Sequence, residues 1–380
     1  MKKLDLIYVP YGNIPSRYAH SVNSINMALA LSKQVSKFEL VLQKHYFQVN
    51  KREQIKDWYG LNELPKTTFI NRVSLTFFKK IYDFVYDPIF NKKICAYLKE
   101  RNSKTIVYTR CESLALECVN KGIRTVLEYH NDKENPYFKH VVSASQKPSF
   151  LMLVTIHKSL KQQYVSAGIA SSKIVIFEDA VDVNRYTNPV KPPYSLLKKH
   201  PPTIDVLYTG SLYDYKNVEL LIEAAKLLPH LNFIIQGGKK EQVEAYRNKE
   251  SNLSNVFFFS HIPNKFIPFL QKQARILVLT HQDECRQSKY TSPIKLYEYL
   301  AAKRPILAPD IKAFEGVISH NVHALLYDAN NVESLVKNIN KITDNLNLAK
   351  HLCEHAFNLA QENTWHKRAA LICNQISLRS

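Results

Sequence analysis

The chain has 380 residues, 45% of them hydrophobic, and a formal net charge of +19 from 52 Lys and Arg against 33 Asp and Glu. Such a length points to two or more globular domains, and no segment has the uninterrupted apolar length of a membrane span. The charge calls for an anionic partner or surface, but it is dispersed and accompanied by no helix-turn-helix, zinc-finger or RNP pattern, so nucleic acid is not an expected partner.

The N-terminus, Met1-Lys2-Lys3 followed by residues 4–10, mimics a signal peptide. Asp5 interrupts the apolar run and Tyr11-Gly12 with Pro15 ends it, which favours a buried first strand. Further strands are expected at 39–43, 106–110, 125–130, 150–156 and 173–178. Helices are expected at 19–31, around 90–100, at 113–120 and at 158–167. Such alternation with continuous apolar strands indicates parallel sheets covered on both faces.

Residues 181–202 carry Pro189, Pro192, Pro193, Pro201 and Pro202 with little apolar periodicity, and read as an interdomain linker. A second series follows. Its strands are expected at 204–208, 231–236, 256–260, 276–280 and 305–308, its helices at 218–228, 241–248, 292–303, 332–342 and 346–361. Two doubly wound domains imply a central cleft facing the carboxyl ends of both sheets.

Six cysteines (Cys95, Cys111, Cys118, Cys285, Cys353 and Cys373) lack metal or disulfide spacing and read as buried thiols in a reducing compartment. No Cys-x-x-Cys, His-Glu-x-x-His or Walker-type loop is present, and no metal is expected.

The run from Thr291 to Asp310 is the most informative stretch. Ser292 is a good N-cap and Pro293 suits the first helical position. The free amides and partial positive charge of that helix start favour an anion such as a phosphate. Lys295, in the first turn, opposes the helix dipole unless an anion sits beside it, and Glu298 follows. An ordinary amphipathic helix with a solvated Lys and Glu accounts for the spacing equally well. Upstream, Tyr208-Thr209-Gly210-Ser211 leads from a strand through a loop to Lys216. There Gly210 would let the backbone approach a ligand and Lys216 could reach a diphosphate.

Together these two stretches resemble the C-terminal domain of the retaining GT-B glycosyltransferases of family 4, also called glycosyl transferases group 1. That family has Gly-Arg-Leu-x-x-x-Lys-Gly at the first stretch and Ser-Pro-x-Lys-x-x-Glu-Tyr-x-Ala-x-x-x-Pro at the second. The resemblance extends to Ile234-Ile235-Gln236-Gly237-Gly238, to residues 255–263, to Leu325–Asp328 with Val332–Leu335, and to Thr364-Trp365-His366-Lys367-Arg368-Ala369. In the first half it covers Ile14–Ser21 and Leu127-Glu128-Tyr129-His130.

The resemblance implies an acceptor-binding Rossmann-like domain over 1–185, a linker over 186–202 and a nucleotide-sugar-binding domain over 203–362. A C-terminal helix over 363–380 would cross back to the first domain. The activity implied is transfer of a hexose from a UDP- or GDP-linked donor to a glycan or lipid-linked acceptor, with retention and without a metal or a resident cofactor. Glu298 would bind the ribose, while Lys216, Lys295 and the amides around Thr291, Ser292, Pro293 and Ile294, Pro293 itself having no N–H, would hold the diphosphate. Ile262, in the loop after the third strand of that domain, would meet the base. His130 would sit at the sugar and β-phosphate, with a strand-end structural histidine as the alternative. The loop 11–21 would cover the cleft, with His20 equally compatible with a structural role.

Two departures from the family stand out. Ser211 replaces an arginine, and Tyr290 stands where the family's first glutamate lies eight positions before Glu298. Tyr290, Thr291 and Ser292 are therefore the candidates to meet the donor sugar. Residues 77–86 with Lys92-Lys93 mix aromatics and cations, which suits an anionic membrane surface. The plainer reading is a core-facing helix with a basic solvent side. The expectation is a cytoplasmic protein, peripheral on the inner face of the plasma membrane, in cell-surface polysaccharide or lipopolysaccharide synthesis. The rivals are a GT-B epimerase and a non-catalytic sugar-binding member of the fold.

Overall fold

The computed structural model describes residues 2–45, 49–72, 79–282 and 294–379, without the side chains of residues 2, 45, 72 and 79–88. It divides into unit 1, residues 1–178 with 365–380, and unit 2, residues 179–364.

Unit 1 is built on a seven-stranded parallel sheet in the order β3-β2-β1-β4-β5-β6-β7. The strands are β1 (Lys2–Val9), β2 (Val35–His45), β3 (Thr67–Arg72), β4 (Ile106–Thr109), β5 (Thr125–Glu128), β6 (Phe150–Thr155) and β7 (Ile174–Ile176). Every residue of β4, β5 and β6 is buried, as expected for strands covered on both faces. Leu6 pairs with Ile106 and Tyr8 with Tyr108, so β1 and β4 are neighbours although two strands intervene in sequence. The strand order reverses between them, and ligands of open α/β sheets bind outside the carboxyl ends at such a reversal.

Unit 2 repeats the plan with six parallel strands in the order β10-β9-β8-β11-β12-β13. These are β8 (Ile204–Thr209), β9 (Phe233–Gln236), β10 (Val256–Phe259), β11 (Ala274–Val278), β12 (Ile306–Pro309) and β13 (Leu325–Tyr327). Here the reversal lies between β8 and β11, whose Leu207 and Leu277 are paired.

The elements expected from periodicity are present, with ends shifted by a few residues. The helix expected around 90–100 is the second half of Lys79–Lys99, and that expected at 292–303 is described over Ile294–Ala301. The helices Lys51–Tyr59, Phe138–Ser145 and Ile267–Gln273 and the strands β3 and β13 are additions to the elements that periodicity predicts. Lys51–Tyr59 buries only Lys51, Ile55 and Tyr59, so its apolar stripe is too narrow to read, and Pro268 masks the start of Ile267–Gln273. The proline-rich stretch at 186–202 belongs with unit 2. Tyr186 lies in its apolar core and donates a 2.6 Å hydrogen bond to Gln271 Oε1. The helix Trp365–Ser377 belongs to unit 1, where it packs against Ala19–Ser32 and β1. Among the described residues, no helix is long and apolar enough to cross a membrane.

Candidate active site

The site residues expected in unit 2 follow the carboxyl ends of its strands: Gly210, Ser211 and Lys216 after β8, Ile262 after β10, and Ile294, Lys295 and Glu298 after β11. Tyr290, Thr291, Ser292 and Pro293 lie outside the described residues, as does Cys285. Tyr299 fixes the helix Ile294–Ala301 to the end of β8. Its buried hydroxyl accepts from the Thr209 amide at 2.8 Å and lies 3.2 Å from Thr209 Oγ1. Gln271, fully buried in the helix before β11, extends the same link. Its Nε2 donates to Thr209 Oγ1 at 3.0 Å and to Glu298 Oε2 at 3.2 Å, while its Oε1 receives the Tyr186 hydroxyl. Glu298, 6% exposed, is thereby oriented by groups far away in sequence.

Lys295 Nζ completes this cluster at 2.6 Å from Glu298 Oε2. The cation that the sequence sets against its own helix dipole therefore has a carboxylate beside it, supplied one turn further along the same helix.

Lys216 meets a different partner. Its ammonium donates to Nε2 of His281, which follows β11, so the two residues meet where the strand order reverses. An ammonium has no acceptor, so Nε2 is the unprotonated nitrogen and the ring hydrogen resides on Nδ1. That Nδ1 is buried and has no hydrogen-bond partner among the described residues. Burial and then the adjacent Lys216 charge hold the His281 pKa well below the usual imidazole value. The Thr280 hydroxyl donates to the Lys216 carbonyl and the Gln282 amide to that of Tyr215 at 3.1 Å, closing the loop around the lysine.

The glycines act within the protein. A Cβ on Gly210 would stand 2.6 Å from the Tyr208 hydroxyl, which donates to the Ser211 carbonyl at 2.8 Å. A Cβ on Gly237, whose φ is 142°, would stand 1.8 Å from the Gly210 carbonyl oxygen. Gly210 is thus needed for the packing of the β8 and β9 turns, a role that the strand-loop pattern does not reveal. Ile262 is partly buried and packs on the core rather than standing free.

In unit 1, His130 follows β5 and is largely enclosed. Its Nδ1 makes a 3.0 Å hydrogen bond with Arg110 Nη2, whereas its buried Nε2 lies 3.0 Å from Glu128 Oε1 as a charge contact and has no aligned hydrogen-bond partner among the described residues. Both ring nitrogens thus face protein groups, and burial with the Arg110 charge lowers its pKa to about 4 against the opposing pull of Glu128. Glu128 is itself buried. Desolvation raises its pKa, yet Arg368, Arg110 and His130 outweigh that and hold it well below the usual carboxylate range. Its Oε2 accepts from the Tyr108 hydroxyl. His20 stacks on Tyr18 with ring centroids 5.6 Å apart and meets the Tyr11 edge at 5.8 Å. Burial and Arg110 push its pKa down to about 4.

A cavity of 150 Å³ opens at the reversal of the unit 1 sheet, lined by Pro10, Tyr11, Gln43, Asn91, Ile94 and Cys111 among others. Of the aromatic and basic stretch read as a membrane surface, 77–78 lie outside the described residues and the side chains of 79–86 are not described. Further along that helix Lys92 and Lys93 are exposed while Ile94, Cys95 and Leu98 are buried, the arrangement of a core-facing helix with a basic outer side.

Residues 197–358 match the family model described as glycosyl transferases group 1. An uncharacterized glycosyltransferase of Haemophilus influenzae is 25% identical over 363 residues, 91% of each chain. Among solved structures, sucrose-phosphate synthase from Thermosynechococcus elongatus superposes with a TM-score of 0.72 at 14% identity, over 98% of both chains. Anabaena HepE in complex with UDP gives 0.70 at 12% identity, over 99% of this chain and 100% of that one, and HepE is also solved with UDP-glucose. The chain thus has the two-domain α/β GT-B fold, and its residues 197–358 match glycosyl transferases group 1.

Proposed function

We propose that the protein moves a sugar from a nucleoside-diphosphate sugar, bound by unit 2, to a hydroxyl of a glycan or lipid-linked acceptor bound by unit 1. The observation that carries this reading is the meeting of Lys216 and His281 at the reversal between β8 and β11, with the Lys295–Glu298 pair on the helix that follows β11. Further support comes from the UDP and UDP-glucose held by HepE, whose fold this chain shares.

In this reading Lys216 and Lys295 neutralise the charge that grows on the departing diphosphate, an electrostatic role for pre-placed cations. Glu298 accepts hydrogen bonds from the ribose, the loop carrying Ile262 meets the base, and the amides at Gly210 and Ser211, with those of the non-proline residues of 290–294, contact the phosphates and the sugar. The bond between the anomeric carbon and the β-phosphate oxygen breaks as the acceptor oxygen bonds to the same face. The acceptor proton passes to the leaving phosphate oxygen, so configuration is retained and no metal takes part. His130, held neutral, forms a fixed wall at the sugar rather than carrying a proton. The acceptor belongs to cell-surface polysaccharide or lipopolysaccharide synthesis, met at the cytoplasmic face of an anionic membrane that the +19 charge would favour.

Titration with UDP, GDP and dTDP, followed by donor hydrolysis assays with the matching sugars, tests the reading. Saturable binding of one nucleotide and slow hydrolysis of its sugar are expected. Absence of binding by all three would overturn it. Flotation with anionic liposomes at low salt tests the membrane clause, which falls if the protein stays at the bottom of the gradient.

A further inference from the structure

The helix Trp365–Ser377 directs Arg368 into the interior of unit 1, where it is 4% exposed. Its Nη2 donates to Glu128 Oε1 at 3.1 Å and to the Phe177 carbonyl at 3.2 Å, its Nε donates to the Glu178 carbonyl at 2.8 Å, and its Nη1 lies 3.4 Å from Met27 Sδ. Glu128 Oε1 is the same atom that lies 3.0 Å from His130 Nε2, so one carboxylate oxygen is shared by a guanidinium and an imidazole.

The hydrogens on His130 follow from its neighbours. Arg110 offers only N–H groups, so Nδ1 must be the accepting nitrogen and the ring hydrogen lies on Nε2, 3.0 Å from Glu128 Oε1 but not aligned on it as a hydrogen bond. The other tautomer would set an N–H against the Arg110 fork and a lone pair against a carboxylate. A buried carboxylate favours that tautomer only while it stays ionised, and Arg368 is the cation in direct contact with it that comes from the helix Trp365–Ser377. The ring itself is acted on by Arg110, Glu128 and Arg368, and Glu128 is further met by Arg110 at 3.9 Å and by the uncharged Tyr8 and Tyr108 hydroxyls.

We propose that Arg368 and Glu128 are positioning residues for the transfer reaction: together they fix the tautomer and the orientation of His130. This rests on the reading of His130 as a wall of the sugar site. Simple cementing of the unit 1 core would make Arg368 matter for stability alone. The relation described here also makes it matter for the state of a ring that Arg368 does not touch.

The test uses the full chain with ¹⁵N-labelled histidine, His130 being assigned by the signal lost in His130→Asn. In the parent protein the ring should keep the pattern of a single hydrogen on Nε2 down to about pH 4. In Arg368→Gln the Glu128 charge is left to be answered by the imidazole, and the His130 midpoint should rise to about 6 or above. Arg368→Lys, which keeps the charge without the fork, should restore most of the parent behaviour. Turnover of Arg368→Gln should fall about tenfold to a hundredfold through misplacement of the ring, with donor KM changed by no more than about twofold.

A folded Arg368→Gln with an unaltered His130 signal and unaltered turnover would overturn the proposal. Should that variant fail to fold, Tyr108→Phe releases only the Oε2 side of Glu128. It is expected to shift the His130 signal, and an unchanged signal overturns the proposal equally. Nucleotide binding by the parent protein separates the two readings. An altered ring in Arg368→Gln with no UDP, GDP or dTDP binding would retire the donor assignment and leave the Arg368–Glu128–His130 relation standing. Binding with an unaltered ring would do the reverse.

Discussion

Lys295 Nζ and Glu298 Oε2 stand 2.6 Å apart on a single helical turn, and Gln271 reaches the same oxygen from another helix. The pair places a cation and its counter-ion at a helix start that would otherwise favour anions alone. A nucleoside diphosphate arriving there would find Lys295 already oriented by Glu298, and Glu298 already oriented by Gln271.

Removing either member should therefore have different consequences. Glu298→Ala should weaken nucleotide binding about tenfold, since a hydrogen bond to a charged group contributes about 1.5–3 kcal/mol. Lys295→Ala and Lys216→Ala should instead lower turnover by about a hundredfold, the scale for loss of one group that stabilises developing charge. Calorimetry with the nucleotide and initial rates with its sugar distinguish the two patterns. Equal effects on binding and turnover in all three variants would contradict the roles given to them.

His281 presents an unprotonated nitrogen to Lys216, so a side chain without an acceptor should release the lysine. His281→Leu should lower donor turnover about tenfold while the protein stays folded, and His281→Gln, which retains an acceptor, should recover part of it. Rates at saturating donor check this, with circular dichroism to confirm folding.

Acid should weaken unit 1 through His130 and His20. Both have folded pKa values lowered to about 4 from 6.5, so the unfolded chain binds protons first as the pH falls. Their stabilising contribution is complete above 6.5 and is lost progressively as the pH drops from there toward about 4. Urea midpoints measured between those limits should decline with acidity. Replacing His20 by Phe should flatten part of the slope.

Gly237→Ala should be among the most damaging single changes in unit 2. Its Cβ would collide with the Gly210 carbonyl at 1.8 Å, and a φ of 142° is closed to other residues. A loss of about 3 kcal/mol or more is expected from strain and displacement of the β8 turn. Thermal unfolding of the variant measures it.

Much of the fold was legible because parallel strands buried on both faces read as unbroken apolar runs, as in β6 and β8. Lys216, Lys295 and Glu298 stood out because their spacing lies within one loop or one helix. Gln271, Tyr299, His281 and Arg368 did not, since their partners are brought near only by folding. Arg368 and Glu128 are separated by 240 residues. Gly210 carries a second demand that the sequence does not display: the Cβ it lacks would meet the Tyr208 hydroxyl. The pairing of Lys295 with Glu298 was within reach of sequence, because residues three apart on a helix share a face.

The two units differ in how they can be made. Unit 2 is one continuous stretch, 179–364, whereas unit 1 needs residues from both ends of the chain. Ile372, Cys373 and Ile376, all buried, and the cation that neutralises Glu128 are the last parts of unit 1 to leave the ribosome. During synthesis the second unit can close its core first, while the first waits with one face of its sheet uncovered, and Glu128 without its Arg368 partner, until the helix Trp365–Ser377 emerges. The N-terminal unit is thus the later of the two to have all its residues outside the ribosome, against the usual N-to-C order of domains.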